Sequence, residues 1–424
     1  MIISKIIKKY FIISVITSIL LSCSTTNVQR SLSNQIPFDF FGLVHAGSTG
    51  SPEEYQLLDE IGAVWLLQTF YWENIEKEQG VFDFSWYDNF VNSAKENNKK
   101  VIAVMAYGTP WTGDKHRYIS KENIHHFLNF LEVTVNRYKG KVDAWQIWNE
   151  PNFVFWKGSN NDFFELSKQS AQRIRETDSD AFIIGGGILR APRNFIKGMY
   201  NSGAFENIDA VSFHPYSLNP YWAMKIYDDF LKIMDEINYK GEIWITEIGF
   251  PTGGWYPTRV SMEKFPSYVI KTIVESIARG ARTLMWYQFA DNYSEGDYPD
   301  KMNSEDYFGL TYSNRTKKSG GFAYELCARY LPGSQLNNDF HVRENVPSNV
   351  VSFCFINGKM NKNVLIIWNN KNRLQDVKIT SGSPFVLYDI VTGISNIMPS
   401  ETFLKITNMP LFITWEGSYI YITN

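Results

Sequence analysis

The chain is 424 residues long, with 41 Lys+Arg against 44 Asp+Glu, 44% hydrophobic residues and 3 Cys. That hydrophobicity with a formal charge of -3 excludes a disordered chain, and there is no basic excess with which to bind nucleic acid. Three cysteines cannot frame a disulfide scaffold, whereas 13 Trp, 24 Tyr and 30 Phe leave open whether the rings pack a core or stack on flat ligands such as sugars.

In chain order, residues 1–22 read as a secretory signal. Lys5, Lys8 and Lys9 precede an uncharged apolar run from Phe11 to Leu21, shorter than the roughly 20 residues of a membrane helix. Leu20-Leu21-Ser22-Cys23 resembles a bacterial lipobox, which implies a lipid anchor on Cys23 and a place in the cell envelope, facing the periplasm or the exterior. Removing the signal takes away three lysines and no acid, so the formal charge moves from -3 to -6. Residues 23–37 are polar and read as a tether.

From Phe40 onward, apolar runs alternate with amphipathic stretches. The runs are Phe40–His45, Ala63–Phe70, Lys100–Ala106, Ala144–Asn149, Phe182–Gly187, Ala210–His214, Ile243–Glu247 and Thr283–Phe289. Helical spacing occupies Trp86–Asn97, Asn123–Tyr138, Phe163–Glu176, Tyr221–Ile237 and Met262–Arg279. Eight runs apolar on both faces, separated by helices, predict a (β/α)8 TIM barrel over residues 38–332. A doubly wound open sheet fits less well, because no glycine-rich nucleotide loop follows the first run. Gly185-Gly186-Gly187 lacks phosphate-cradle spacing and is expected to let the fifth strand pass close to something in the barrel mouth. Residues 333–424 carry short strands and turns without helical spacing, and predict a small β-sandwich. Cys327 and Cys354 fall on either side of that boundary, and whether they pair stays open.

Barrel active sites form at the C-terminal strand ends. The fourth run ends Trp148-Asn149-Glu150-Pro151 and the seventh ends Thr246-Glu247. Each sets one carboxylate at the mouth, and facing carboxylates are the machinery of glycosidic bond cleavage, one protonated and one ionised. These motifs, with Trp72, Glu76, Gly80 and Phe82-Asp83 at strand two and Tyr107-Gly108-Thr109-Pro110-Trp111 at strand three, resemble the clan A glycoside hydrolases, family 39 and its neighbours in particular.

The resemblance implies a retaining O-glycosyl hydrolase on a poly- or oligosaccharide, with Glu150 as acid/base and Glu247 as nucleophile. It further implies that Asn149 and His214 line the sugar site, that Tyr216 beside them donates to the nucleophile, and that Trp286 forms a platform under the sugar, with Tyr107, Trp111 and His45 around them. Trp156, Trp222 and Trp255 fall in expected mouth loops, where each can stack on sugars or pack under its loop. No cofactor or metal is expected, since the six histidines are scattered and His125-His126 lies in a helix; a monomer is expected. One departure stands out: Leu67 occupies the strand-two position where family members carry an arginine beside the nucleophile, with Gln68 as a possible substitute. That departure keeps open a non-catalytic carbohydrate-binding lipoprotein on the same fold.

Overall fold

A computed structural model of the protein describes residues 35–255, 257–293, 303–337, 349–358, 361–371, 373–417 and 419–423. The signal stretch and Cys23 lie outside the described residues.

Eight parallel strands close into a barrel in chain order: β1 (Phe41–Val44), β2 (Trp65–Tyr71), β3 (Lys100–Ala106), β4 (Ala144–Ile147), β5 (Ile183–Leu189), β6 (Ala210–His214), β7 (Glu242–Ile248) and β8 (Thr283–Trp286). A helix of more than one turn follows each strand: α1 (Pro52–Ile61), α2 (Ser85–Glu96), α3 (Ile124–Tyr138), α4 (Asn160–Thr177), α5 (Arg193–Asn201), α6 (Pro220–Glu236), α7 (Phe265–Ala278) and α8 (Ser319–Tyr330). Alternation along each strand divides the side chains. Val44, Leu67, Ile102, Ala144 and Trp244 turn into the barrel, while their neighbours Leu43, Leu66, Val101, Trp145 and Ile245 join the core under the helices. This is why the strands read as continuous apolar runs. Local signals begin several helices: Ser51 and Ser159 accept from the Glu54 and Asp162 amides at α1 and α4, and Asn219 accepts from the Trp222 amide at α6.

The C-terminal part forms two antiparallel sheets. The strands are β9 (Gln335–Leu336), β10 (Val350–Ile356), β11 (Asn363–Asn369), β12 (Gln375–Ser381), β13 (Phe385–Tyr388), β14 (Ser395–Met398), β15 (Glu401–Ile406), β16 (Leu411–Trp415) and β17 (Ile420–Thr423). One sheet runs β14-β13-β16-β11-β10-β9, the other β15-β12-β17. On β11, Leu365 and Ile367 meet the inner face of the sandwich, while Val364, Ile366 and Trp368 belong to the barrel's outer core. That strand is therefore buried on both faces. Lys271 of α7 donates to Asn408 O at 2.6 Å and Oδ1 at 2.8 Å across the same contact. Cys327 and Cys354 are both buried and unbridged. No helix among the described residues is long and apolar enough to cross a membrane.

Candidate active site

The turn after β4 is built to aim Glu150. Trp148 (φ 66°) and Glu150 (φ 43°) hold left-handed backbone that costs non-glycine residues energy. Neighbouring elements offset that cost. Trp148 N donates to Met105 O at 3.1 Å, its ring nitrogen to Phe155 O at 3.0 Å, and Glu150 N to Gly187 O at 2.8 Å. Gly187 is the close approach expected of the glycine run. A Cβ there would stand 2.8 Å from Gln146 Nε2 and 3.2 Å from Trp148 O, at a φ of +59°. The β5–β6 register also shifts between Gly185 and Ile188. Gly187→Ala is therefore expected to displace the Glu150 turn and to cost about 1–3 kcal/mol. Thermal unfolding checks the cost; a wild-type melting temperature and activity would contradict the packing described.

Glu247 reaches the mouth through a local irregularity. Ile243 and Ile245 on β7 face the helices, and strict alternation would send Glu247 the same way. The register against β8 shifts between Ile245 and Ile248, with Glu247 inside the shift, the kind of bulge that re-aims a side chain at barrel rims. Its carboxylate accepts from the Tyr216 hydroxyl at 2.7 Å. His214, fully buried at the end of β6, places Nδ1 2.9 Å from Glu150 Oε1 and Nε2 3.1 Å from the Thr246 hydroxyl. Arg190 braces this segment: its amide donates to His214 O and its Nε to Tyr216 O. One oxygen of Glu150, one of Glu247 and a His214 nitrogen all lie within 4.8 Å of one another.

Burial governs the ionisation. It pushes the Glu150 carboxyl up to about 8. It also pushes Glu247 up to about 7, against the opposing pull of His214 and of the Tyr216 hydrogen bond, with Glu150 adding to the rise. His214 is held below the usual imidazole range by burial, which keeps it neutral. A third carboxylate belongs to the same field. Glu305 stands in the mouth with its side chain open to solvent; the protein around it and the Glu150 carboxylate raise its pKa, and the Tyr287 hydroxyl donates to it at 3.3 Å.

Of the residues singled out in the sequence, Glu150, Glu247, His214 and Tyr216 meet directly. Asn149 is half-buried and hydrogen-bonds Tyr107, itself buried against Trp148 and Phe155. His45 follows β1, open to solvent, 3.0 Å from Gln288 Oε1 and edge-on to Tyr287. Trp286 is not a platform. It is fully buried against Phe250 and Phe265, because Leu284 and Trp286 face the helices while Met285 and Tyr287 face inward. Tyr287 is the β8 aromatic at the mouth, with its ring 6.5 Å from Tyr216.

Trp111 does not join the carboxylates either. Its ring nitrogen donates to Glu76 O and its ring packs on Trp72 and His126. Trp156 is buried under its loop, Trp255 is half-buried, and Trp222 alone of that set is well exposed. Leu67 points into the barrel interior and Gln68 donates to Ala46 O at 3.3 Å. Neither supplies a cation to Glu247.

A family model described as beta-galactosidase, of glycoside hydrolase family 42, matches residues 49–125, a stretch that holds neither Glu150 nor Glu247. Among solved structures, a family 39 glycoside hydrolase from the gut symbiont Bacteroides cellulosilyticus WH2 is 19% identical with a TM-score of 0.74, covering 91% of this chain and 82% of its own. A family 39 beta-xylosidase from Caulobacter crescentus is 14% identical with a TM-score of 0.65, covering 92% and 98%. A family 30 endoxylanase from Clostridium papyrosolvens C71 is 15% identical with a TM-score of 0.64, covering 91% and 98%. The barrel-and-sandwich fold is theirs too.

Proposed function

We propose that the chain is a retaining O-glycoside hydrolase acting on a poly- or oligosaccharide, with Glu150 as acid/base and Glu247 as nucleophile. The observation that carries this reading is the carboxylate pair, with one oxygen from each within 4.8 Å. Retaining enzymes hold their carboxyl groups about 5–5.5 Å apart, and inverting ones about 6.5–9.5 Å, to leave room for water. The fold shared with glycosidases supports the same reading.

In the first step the Glu247 carboxylate attacks the anomeric carbon as the glycosidic C–O bond breaks, and Glu150 gives its proton to the departing oxygen. In the second, ionised Glu150 takes a proton from water, whose oxygen attacks the same carbon and releases Glu247. His214 positions the acid. With Nδ1–H donating to Glu150 Oε1 and Nε2 accepting from Thr246, Glu150 keeps Oε2 for the transferable proton. Tyr216 steadies the negative charge on Glu247, the part left vacant by Leu67. Asn149, on the rim beside the acid, is placed to bond a sugar hydroxyl.

Two carboxylates and a histidine so close are also a set that could hold a divalent ion. Both His214 nitrogens already meet hydrogen-bond partners, so an ion would have to displace the bond that orients Glu150. Hydrolysis of a panel of 4-nitrophenyl glycosides and polysaccharides, run with and without EDTA, tests the reading. Turnover indifferent to the chelator is expected. Glycan binding with no turnover would overturn the catalytic reading, and turnover lost with EDTA and restored by a metal would overturn the roles given to the carboxylates.

A further inference from the structure

Nine non-glycine residues hold positive φ among the described residues. Four are asparagines (Asn98, Asn207, Asn238 and Asn361), the residue type that adopts this backbone at little cost. The other five are Trp148, Glu150, Arg190, His45 and Arg315. The first three build the carboxylate site. His45 (φ 55°) and Arg315 (φ 68°) share a different place: both line a cavity of ≈ 630 Å³ on the β8–β1 flank of the mouth, within the roughly 300–1,000 Å³ of ligand pockets. Backbone strain gathers at binding and catalytic sites, and here it marks two adjoining spots.

The cavity opens beside the catalytic pair. Tyr216 on Glu247 meets Tyr287 at 6.5 Å between rings, and Tyr287 meets His45 at 5.5 Å. Its side of the pair is also defined. With the proposed roles, the leaving group departs past the acid on β4, which puts the retained sugar toward the nucleophile on β7. Strands β8 and β1 follow β7 around the barrel.

The lining is polar apart from Ala290 and Tyr293. Arg315 lies over the Phe289 ring at 5.0 Å and 3.6 Å from buried Glu54, so its charge is balanced while its side chain keeps 35% exposure. Asp291 is buried. Its Oδ1 accepts from Lys318 at 2.5 Å and from the Gly309 amide at 2.8 Å. With the Tyr293 side chain on the same carboxyl and no exposed side-chain surface, Asp291 anchors the cavity wall through Lys318 and does not face a ligand. The Asp306 carboxylate and the Gln288 and Asn292 amides beside a balanced guanidinium offer acceptors and donors together. That matches neutral sugar hydroxyls, each of which donates and accepts, better than an anion.

We propose that this cavity is a second glycone-side subsite, holding the neutral sugar unit next to the one at the cleaved bond, with Arg315 and His45 on its hydroxyls. This rests on the glycosidase reading and deepens it: the protein cuts within chains or releases disaccharides instead of trimming single sugars. The test compares kcat/KM on 4-nitrophenyl β-xylobioside, β-cellobioside and β-galactobioside with the matching monosaccharide glycosides, for wild type and Arg315→Gly. Glycine adopts positive φ freely, which offsets part of the loss of the Arg315–Glu54 pair, and circular dichroism and thermal melting of the variant establish that it folds. Wild type is expected to prefer one disaccharide glycoside, and Arg315→Gly to lower that preference about tenfold or more, the worth of a hydrogen bond to a charged donor. A wild-type enzyme with no preference, or a preference untouched by Arg315→Gly, overturns the subsite. If no glycoside is cleaved, the glycosidase reading fails and calorimetry decides the subsite separately. Xylobiose, cellobiose or galactobiose binding to Glu247→Gln that disappears in Glu247→Gln/Arg315→Gly supports it, and absent or unaltered binding overturns it.

Discussion

Incubated with a 4-nitrophenyl glycoside, Glu150→Gln is expected to accumulate a covalent glycosyl-enzyme on Glu247, while Glu247→Gln forms none. Nitrophenolate leaves without a proton, so the first step survives the loss of the acid. The second step does not, because water then lacks a base. Intact-protein mass spectrometry reads the adduct directly. Steady-state rates follow the same logic. With an unactivated sugar as leaving group, Glu150→Gln loses on the order of 10²–10⁴ in kcat, the usual contribution of a positioned proton donor. Glu247→Gln is expected to lose about 10⁴ or more on every substrate, since the reaction has no other route to the covalent intermediate. A stable adduct in Glu247→Gln, or wild-type rates in both variants, would remove these residues from the chemistry.

The same burial that sets the proton inventory shapes both activity and stability with pH. Catalysis requires Glu247 ionised, at about 7, and Glu150 protonated, at about 8. The kcat/KM profile is therefore expected to be a narrow bell with its maximum between about pH 7 and 8, where a pair with ordinary carboxyl values would give an acidic optimum. Stability follows from the sign of the shifts. Both folded-state values are raised above the ordinary 4.5. Their contribution is fully present below about pH 4.5 and is lost as pH rises toward 8, because ionising a buried carboxyl favours the unfolded chain. For fully buried Glu150 the loss is on the order of a few kcal/mol. Replacing it with uncharged glutamine should raise the melting temperature by several degrees at pH 8.5 and leave it nearly unchanged at pH 5. Calorimetry at the two pH values checks this, and a Glu150→Gln variant less stable than wild type at pH 8.5 would contradict it.

The barrel was legible because parallel strands buried on both faces leave unbroken apolar runs, and all eight runs overlap the observed strands. Helices α1, α5 and α8 fall outside the stretches of helical spacing, and α1 and α5 are short. Arg193–Asn201 is only nine residues long, and Ser319–Tyr330 begins with two glycines after its first residue. Glu150 and Glu247 stood out as acids closing apolar strands. The glycine run was readable as a close approach, though only the structure identifies the neighbour as the Glu150 turn. Trp286 illustrates a limit of reading by strand position. Side chains alternate with period two, so an error of one residue reverses the face, and the mouth belongs to Tyr287. The origin of the raised Glu150 value also differs from a simple pair: burial causes it, ahead of any repulsion from Glu247. Glu305 sits on a single 3-10 turn, Ser304–Tyr307, and Arg315 in a loop, and neither segment is long enough for periodicity to point a side chain anywhere. His45 was readable as a mouth residue, but its partnership with Arg315 across 270 residues was not.

The shape of the site makes one demand on the chemistry that no other arrangement of the same residues shares. Two displacements at one carbon return its original configuration, whereas a single water attack between more distant carboxylates inverts it. Proton NMR of the anomeric signals during the first minutes of hydrolysis, before mutarotation mixes them, resolves the two cases. A first-formed product with the anomeric configuration of the substrate is the result expected of Glu150 and Glu247 at this separation. A first-formed product of the opposite configuration would contradict it.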